Sequence, residues 1–223
     1  MPSNYRHSAL LEPPVLKSMV RPRFARLPQS QQDAILRAAL DEFAAHNFHD
    51  ASLNRVIEIA GISKGSMYYY FDGKEDLYAH VARVEFERLF AGVEPLPIPV
   101  AADPEVFWPR LENYYLQLMT ALAGRPQLAN LIRNWIAASG DPALQQARRG
   151  LEQAVMPWIE KVLASGQEIG AVRTDLPRGL LIAVVAAMGQ AMDTWMLTQQ
   201  PDDADLPRLI GHLIGMMRRA LEP

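Results

Sequence analysis

No cysteine occurs anywhere in the 223 residues, which excludes a disulfide framework and every thiolate metal site. Charge is sparse as well: 21% of residues are charged and 49% are hydrophobic, a balance that excludes a mostly disordered chain. The longest uninterrupted apolar run, Leu180 to Gly189, is about half of what a membrane span needs. The first twenty or so residues hold no continuous apolar core of the kind a secretory signal has. A cytoplasmic protein with no membrane segment is therefore expected. Catalytic signatures are also missing, with no GxSxG, no phosphate-cradling glycine loop and no HExxH. His46 and His49 stand at i, i+3 without further ligand types nearby, and Asp202, Asp203 and Asp205 read as acids preferred at a helix start. Neither an enzyme, a metal site nor a cofactor is expected.

What is present is concentrated in residues 52–78, SLNRVIEIAGISKGSMYYYFDGKEDLY. Leu53, Val56, Ile57 and Ala60 recur at helical spacing and form one apolar face. Ser52 precedes that face as an N-cap, and Gly61 follows it where a left-handed residue ends a helix. Ile62 is placed to plug the core, and Ser63 caps a second helix expected from Lys64 to about Phe71. Two helices joined by a short glycine-containing turn make the DNA-binding helix-turn-helix, here over 52–71. The second helix of that motif enters the major groove. Its content suits the task. Lys64, Ser66, Tyr68, Tyr69 and Tyr70 can all donate hydrogen bonds of the kind that go to phosphates, and Gly65 lets the backbone approach the duplex closely. Three consecutive phenols point around more than half of a helix, so core packing does not account for all of them. Phe71 is expected inside, Tyr68 and Tyr69 outside.

Around this motif a first helix is expected from a Ser30 cap, with Asp33 giving an imperfect capping box. Ile35, Leu36, Ala39, Leu40 and Phe43 form its buried stripe. Another helix begins at Lys74, with Glu75 and Asp76 in the turn where the dipole favours acids, and runs to about Phe90. Prolines at 95, 97 and 99 forbid helix over 92–100. That segment separates a three-helix DNA-binding domain, 29–89, from a second domain, 101–223. Helices are expected there over 104–123, 126–138, 142–166 (bent at Pro157), 177–199 and 203–221, with no strand and no internal repeat, so the fold class is all-α. Residues 1–28, rich in proline, read as a flexible arm. It carries Arg6, Lys17, Arg21, Arg23 and Arg26 against Glu12 alone, although the whole chain has a net charge of −3. Arg21, Arg23 and Arg26 suit an adjacent minor groove; a solvated tail is the alternative.

The run Ala60-Gly61-Ile62-Ser63-Lys64-Gly65-Ser66-Met67-Tyr68-Tyr69-Tyr70-Phe71-Asp72-Gly73-Lys74-Glu75-Asp76-Leu77 resembles the DNA-binding domain of the TetR family of bacterial transcriptional regulators, a likeness that extends over about residues 29–89. Two positions depart from the family pattern: Gly73 stands where a Ser-type cap is usual, and Met67 replaces a branched apolar residue. The resemblance implies that Ser52, Leu53 and Asn54 touch the phosphate backbone. It likewise implies that Lys64, Gly65, Ser66, Tyr68 and Tyr69, with Tyr70 as a weaker match, meet bases or phosphates, and that Lys74 grips a phosphate.

The same resemblance implies a two-fold dimer built on the last two helices and a small-molecule cavity among the C-terminal helices. Dimer-interface candidates are Leu180, Val184 and Met188 on the first of those helices, and Leu206, Leu209, Ile210, Leu213, Ile214 and Met217 on the second, near heptad spacing. Both stripes also suit packing within one chain. Cavity candidates are Trp108, Tyr114, Tyr115, Met119, Trp135, Trp158, Met188, Met192 and Trp195, with Arg133, Gln190 or Asp193 to orient a polar group. A helical core needs such residues too. The expectation is a homodimeric regulator, a repressor that leaves a pseudo-palindromic DNA operator when a hydrophobic or aromatic ligand binds. An activator, a regulator controlled by a partner protein, and a ligand carrier or enzyme with a vestigial helix-turn-helix remain as alternatives.

Overall fold

Apolar spacing of three and four residues becomes helix along almost the whole chain. The computed structural model describes residues 8–11, 22–99, 103–138, 140–202 and 204–223. Strand β1 (Ser8–Leu11) comes first. It is followed by helices α1 (Pro22–Ala25), α2 (Gln29–Ala45), α3 (Leu53–Ala60), α4 (Lys64–Tyr70) and α5 (Lys74–Ala91). Strand β2 (Leu96–Pro99) and a 3-10 turn (Pro104–Val106) lead to α6 (Phe107–Ala123), α7 (Pro126–Ala137), α8 (Pro142–Glu168), α9 (Arg178–Gln199) and α10 (Leu206–Leu221). Of the described residues, 22–89 and 122–154 pack as one unit, and 8–11, 90–121 and 155–223 as another. The sequence boundary near 92–100 falls beside one of these divisions. Sequence reasoning did not foresee that α7 and the first half of α8 pack with the DNA-binding helices.

In the first unit α2 buries Ile35, Leu36, Ala39 and Phe43 completely or nearly so. Ile35, Leu36 and Phe43 each contribute roughly 1.5–3 kcal/mol on burial. Phe43 and Phe48 meet the Tyr78 ring of α5 edge-on at 4.9 and 5.4 Å, a favoured aromatic arrangement. Val56 of α3, Met67 of α4 and Leu77 and Val81 of α5 complete this centre. On α7, Leu128, Leu131 and Trp135 are buried, with Trp135 edge-on to Tyr78 and Phe86 at 6.5 and 6.3 Å. Asn134 donates to the carbonyls of Phe43, Ala44 and His46 at 3.1, 3.4 and 3.3 Å, which caps the end of α2.

Two expectations in this unit are corrected. Ser30 is not the cap of α2: Pro28 holds that position with φ −52°, and its carbonyl accepts from Gln31 and Gln32 at 2.9 and 3.1 Å, so the helix opens two residues earlier. The stretch just before it is not a free arm. The Phe24 side chain is 1% exposed, and Gln32 Nε2 donates to the Leu27 carbonyl at 2.8 Å. Arg6, Lys17 and Arg21 lie outside the described residues.

The second unit contains the unforeseen strands. β1 and β2 form an antiparallel ribbon with Ser8 opposite Pro99 and Leu11 opposite Leu96. Backbone N–H directions alternate along a strand, so Pro97 and Pro99 place their missing donors on the same edge and leave the other edge able to pair. Near Phe107, Gly166 permits close approach: a Cβ there would lie 2.5 Å from Val172 and 2.9 Å from the Phe107 ring. The loop 170–176 is pinned by Trp108 Nε1 donating to the Ala171 carbonyl at 3.3 Å and by Arg173 N–H donating to the Leu221 carbonyl at 2.7 Å. α8 continues through Pro157 to Glu168, past the expected end at Gly166.

Candidate nucleic-acid interface

The turn between α3 and α4 forms as its residues dictate. The Ser52 hydroxyl accepts from Arg55 N–H at 3.4 Å and the Ser63 hydroxyl from Ser66 N–H at 3.0 Å, so both helices are side-chain capped. Gly61 takes φ 65°, ψ 32°, the left-handed conformation that favours glycine. Its N–H and that of Ile62 close the helix end on the Glu58 and Ile57 carbonyls. Ile62 is half-buried rather than a full core plug.

On α4 the split between inside and outside is sharp. Met67 and Phe71 are 1% and 3% exposed, whereas Tyr68 and Tyr69 are 50% and 51% exposed. Lys64 and Gly65 share the outer side, and Tyr70 is half-buried, edge-on to Phe24 at 6.1 Å. Gly65 has no packing reason inside the protein: a Cβ there would meet only the Ser63 hydroxyl, at an ordinary 3.7 Å. Glycine in a helix costs about 1 kcal/mol relative to alanine. Keeping it on the outer side suits a surface that another molecule's backbone approaches. Ser66 is partly occupied, its hydroxyl 2.9 Å from that of Ser63. Ser52 and Leu53 are half-buried at the start of α3, and Asn54 is exposed.

Several residues that the sequence reading did not single out hold this surface in place. The Glu42 carboxylate, 4% exposed, accepts from Ser52 N–H at 2.7 Å and lies 3.4 Å from Arg55, fixing the start of α3 to α2. A signal existed, because Glu42 falls on the apolar stripe of α2. Asn47 accepts from the N–H groups of His49 and Asp50 at 3.0 and 3.1 Å, an Asx-type turn. Lys74 donates to the His49 and Ala51 carbonyls at 2.9 and 3.1 Å. Two of its three N–H donors are thus used within the protein. Gly73 offers no cap side chain, and Asp76 accepts instead from Asp72 N–H at 2.9 Å. His46 Nε2 takes a bond from Arg55 at 2.8 Å, and His49 Nε2 lies 2.6 Å from Asp141. Both imidazoles thus have partners other than a metal.

The charges of the first unit divide by partner. Arg55, Arg83 and Arg88 each meet a carboxylate. Among the described residues no carboxylate pairs with Arg23 or Lys64. Buried His80 accepts from Arg83 at Nδ1 across 3.2 Å, which places the ring proton on Nε2. Burial, then the Arg83 charge, pushes its pKa down to about 4.

The cavity candidates are divided between the two units. Arg133 and Trp135 sit on α7 in the first unit, because α7 packs on α2; Arg133 donates to Asn130 there. In the second unit Trp108 is consumed at the Ala171 carbonyl, Met119 and Met192 are buried, and Trp195 is 44% exposed and faces outward. Trp158 stacks on Tyr114 at 5.3 Å, and neither the Tyr114 hydroxyl nor Trp158 Nε1 has a hydrogen-bond partner among the described residues. The Tyr115 hydroxyl donates to Asp193 at 2.6 Å. Burial raises Asp193 to about 6, against the lowering effect of that bond, and raises Tyr115 well above the phenol range. Met188 is half-buried and Gln190 exposed.

The dimer candidates also divide. Leu206, Ile210, Ile214 and Met217 are 0–8% exposed within the single chain, so they belong to its own core rather than to an outer face. Leu209, Leu213, Val184 and Met188 are half-buried. The outward apolar residues are Leu180 and Trp195 on α9 and Met216 on α10, with Ala183, Ala187 and Ala191 between the first two. α9 as a whole is long and apolar enough to cross a membrane by length and composition, yet most of it is not buried. Counting uninterrupted apolar residues missed this because Gln190 and Asp193 break the run.

Residues 35–81 match the model for bacterial regulatory proteins of the tetR family. The HTH-type transcriptional regulator RutR of Escherichia coli O157:H7 is 36% identical over 165 residues, covering 73% of this chain and 74% of that protein. The HTH-type transcriptional repressor DhaR of Mycobacterium sp. (strain GP1) is 26% identical over 74% of this chain and 81% of its own. Among solved structures, FadR of Bacillus subtilis in complex with stearoyl-CoA superposes with a TM-score of 0.64 at 20% identity, over 85% of this chain and 97% of that one. A helix-turn-helix with an open, donor-rich second helix, a matching family model and a relative this similar over most of both lengths agree: the chain belongs to the TetR family of bacterial regulatory proteins and is a DNA-binding transcriptional regulator.

Proposed function

We propose that this regulator is a homodimeric repressor that binds a pseudo-palindromic operator with two copies of α4 and leaves it when a small apolar or aromatic ligand binds its C-terminal helices. The observation that carries the reading is the outer side of α4. Lys64, Tyr68 and Tyr69 are exposed together with Gly65, whose missing side chain the protein itself does not require. Ser52, Leu53 and Asn54 at the start of α3 supply phosphate contacts beside it, and Lys74 supplies one from its remaining donor. A dimer follows from the geometry of DNA, since two half-sites about one turn apart need two recognition helices. The outward apolar faces of α9 and α10, through Leu180, Trp195 and Met216, supply the interface. The repressor sense follows the similarity to DhaR, a transcriptional repressor.

For the ligand, the Tyr115–Asp193 pair gives an otherwise apolar bundle one polar anchor, and the unpartnered Tyr114 and Trp158 donors give two more. Ligand binding changes DNA affinity only by its difference in affinity between the two states. The reading is tested by selecting sites from a random duplex pool at fixed, near-physiological salt, because phosphate contacts alone give binding without specificity. An enriched inverted repeat is the expected outcome. A well-folded protein that enriches no sequence overturns it.

A further inference from the structure

The segment just before α2 carries a feature that the helix-turn-helix does not explain. α1 is a single turn, PRFA, and its Phe24 ring is driven into the underside of the motif. There it lies 5.0 Å from Phe71, 5.1 Å from His80 and 6.1 Å from Tyr70. The Leu27 N–H closes the turn on the Phe24 carbonyl at 3.0 Å. The guanidinium of Arg23 lies over the ring of Tyr69, 4.4 Å from its centroid.

Tyr69 is one of the two exposed phenols of α4. A cation over a tyrosine face gains only about 0.5–1 kcal/mol at an exposed site, and such a contact uses none of the guanidinium's N–H donors as hydrogen bonds. No carboxylate among the described residues neutralises Arg23. Arg55, Arg83 and Arg88 of the same unit are all neutralised. An unpaired, oriented guanidinium bordering the donor-rich side of α4 has the chemistry of a phosphate clamp.

We propose that Arg23 is a DNA-contacting residue: anchored through Phe24 and stacked on Tyr69, it delivers a charge-assisted contact to a backbone phosphate beside the bases that α4 faces. The inference rests on the DNA-binding reading and extends the interface to a residue outside the helix-turn-helix. It also changes the role of this arginine from a loose tether searching a neighbouring minor groove to a fixed part of the recognition surface. The phosphate it holds fixes the register of α4 along the groove and carries no sequence information of its own.

The test uses the full chain and the duplex selected from the random pool, with a scrambled duplex of equal length beside it. Binding is measured by fluorescence anisotropy across a salt series. Arg23→Ala is expected to weaken both duplexes by similar factors, on the order of tenfold, and to reduce the salt slope by about 0.9 per protomer for the lost phosphate contact. Arg26→Ala removes the same charge from an exposed neighbour without a ring partner, and is expected to leave the slope close to wild type. Tyr69→Phe keeps the ring and is expected to retain the Arg23 contribution to the slope. Wild-type affinity and slope in Arg23→Ala, with Lys64→Ala impaired in the same assay, overturns the proposal while leaving DNA binding standing. Equal losses in Arg23→Ala and Arg26→Ala overturn it too, since the effect is then one of diffuse charge. Failure of the wild-type chain to bind either duplex is the separate failure of the functional reading.

Discussion

Lys74 donates to the Ala51 carbonyl from 23 residues further along the chain, at 3.1 Å, and its ammonium lies 4.9 Å from the Phe48 ring centroid. The first turn of α5 is thereby tied to the residues that introduce α3. A lysine expected to hold DNA phosphate is thus also a brace inside the protein. Lys74→Met keeps an apolar stem against Phe48 and removes both carbonyl bonds. The expected result is a stability loss of about 1–3 kcal/mol in urea unfolding, together with weaker DNA binding. Unchanged stability with impaired binding would show that the phosphate role stands alone.

Gly65→Ala separates folding from binding by sign. A Cβ there meets no obstacle in the protein, so the variant is expected to gain up to about 1 kcal/mol of stability. The added methyl nevertheless stands between α4 and its DNA, and affinity for the selected duplex is expected to fall by about tenfold or more. Thermal unfolding and anisotropy on one preparation check both halves.

His80 gives the first unit an acid sensitivity. Its folded pKa, about 4, lies below the ordinary 6.5, so between those values the unfolded chain binds a proton that the folded chain refuses. Stability from this residue is present above pH 6.5 and is lost as pH falls towards 4, by up to roughly 3 kcal/mol. His80→Gln, measured by urea unfolding over that range, is expected to flatten the slope.

Asp193 acts in the opposite direction. Its folded pKa, about 6, lies above the ordinary 3.8, so the folded state holds the extra proton and its stabilising effect fades as pH rises through that window. Tyr115→Phe removes the bond that favours the carboxylate, and the Asp193 titration is expected to move above 6. Carbon-detected NMR of labelled Asp carboxyls reads the shift; no movement would mean that the hydroxyl does not govern the ionisation.

Oligomeric state discriminates outer from inner faces on the last two helices. Leu180→Glu and Trp195→Glu are expected to yield folded monomers in sedimentation analysis. Ile210→Glu, at a position with no exposure, is expected to unfold the second unit instead. Two folded dimers from the first pair would remove α9 from the interface.

Local signals were legible from sequence because they act over one turn of chain. Ser52, Gly61 and Ser63 each do what their side chains or lack of one dictate, and Met67 against Tyr68 divides inside from outside. What escaped depends on partners far along the chain. Trp135 and Arg133 look like lining for a C-terminal cavity until α7 is seen to pack on α2, and no periodicity says which helix a stripe will meet. Leu206, Ile210, Ile214 and Met217 form a heptad-like stripe, but spacing does not distinguish a partner's helix from one's own. Phe24 was invisible for a different reason: a single aromatic among prolines and arginines has no period at all. The ribbon of Leu96–Pro99 was hidden because proline argues against helix without saying which edge of a strand remains able to pair.

The amide of Asn134 closes the final carbonyls of α2 from about ninety residues downstream. The DNA-binding helices therefore have no finished end until α7 has been synthesised and has docked. A fragment stopping near residue 100 leaves those carbonyls to water and uncovers the α2 surface on which α7 packs, so it is expected to be sticky and short-lived rather than a portable DNA-binding cassette. During translation, the ability to occupy DNA arrives late, after more than half of the polypeptide has left the ribosome.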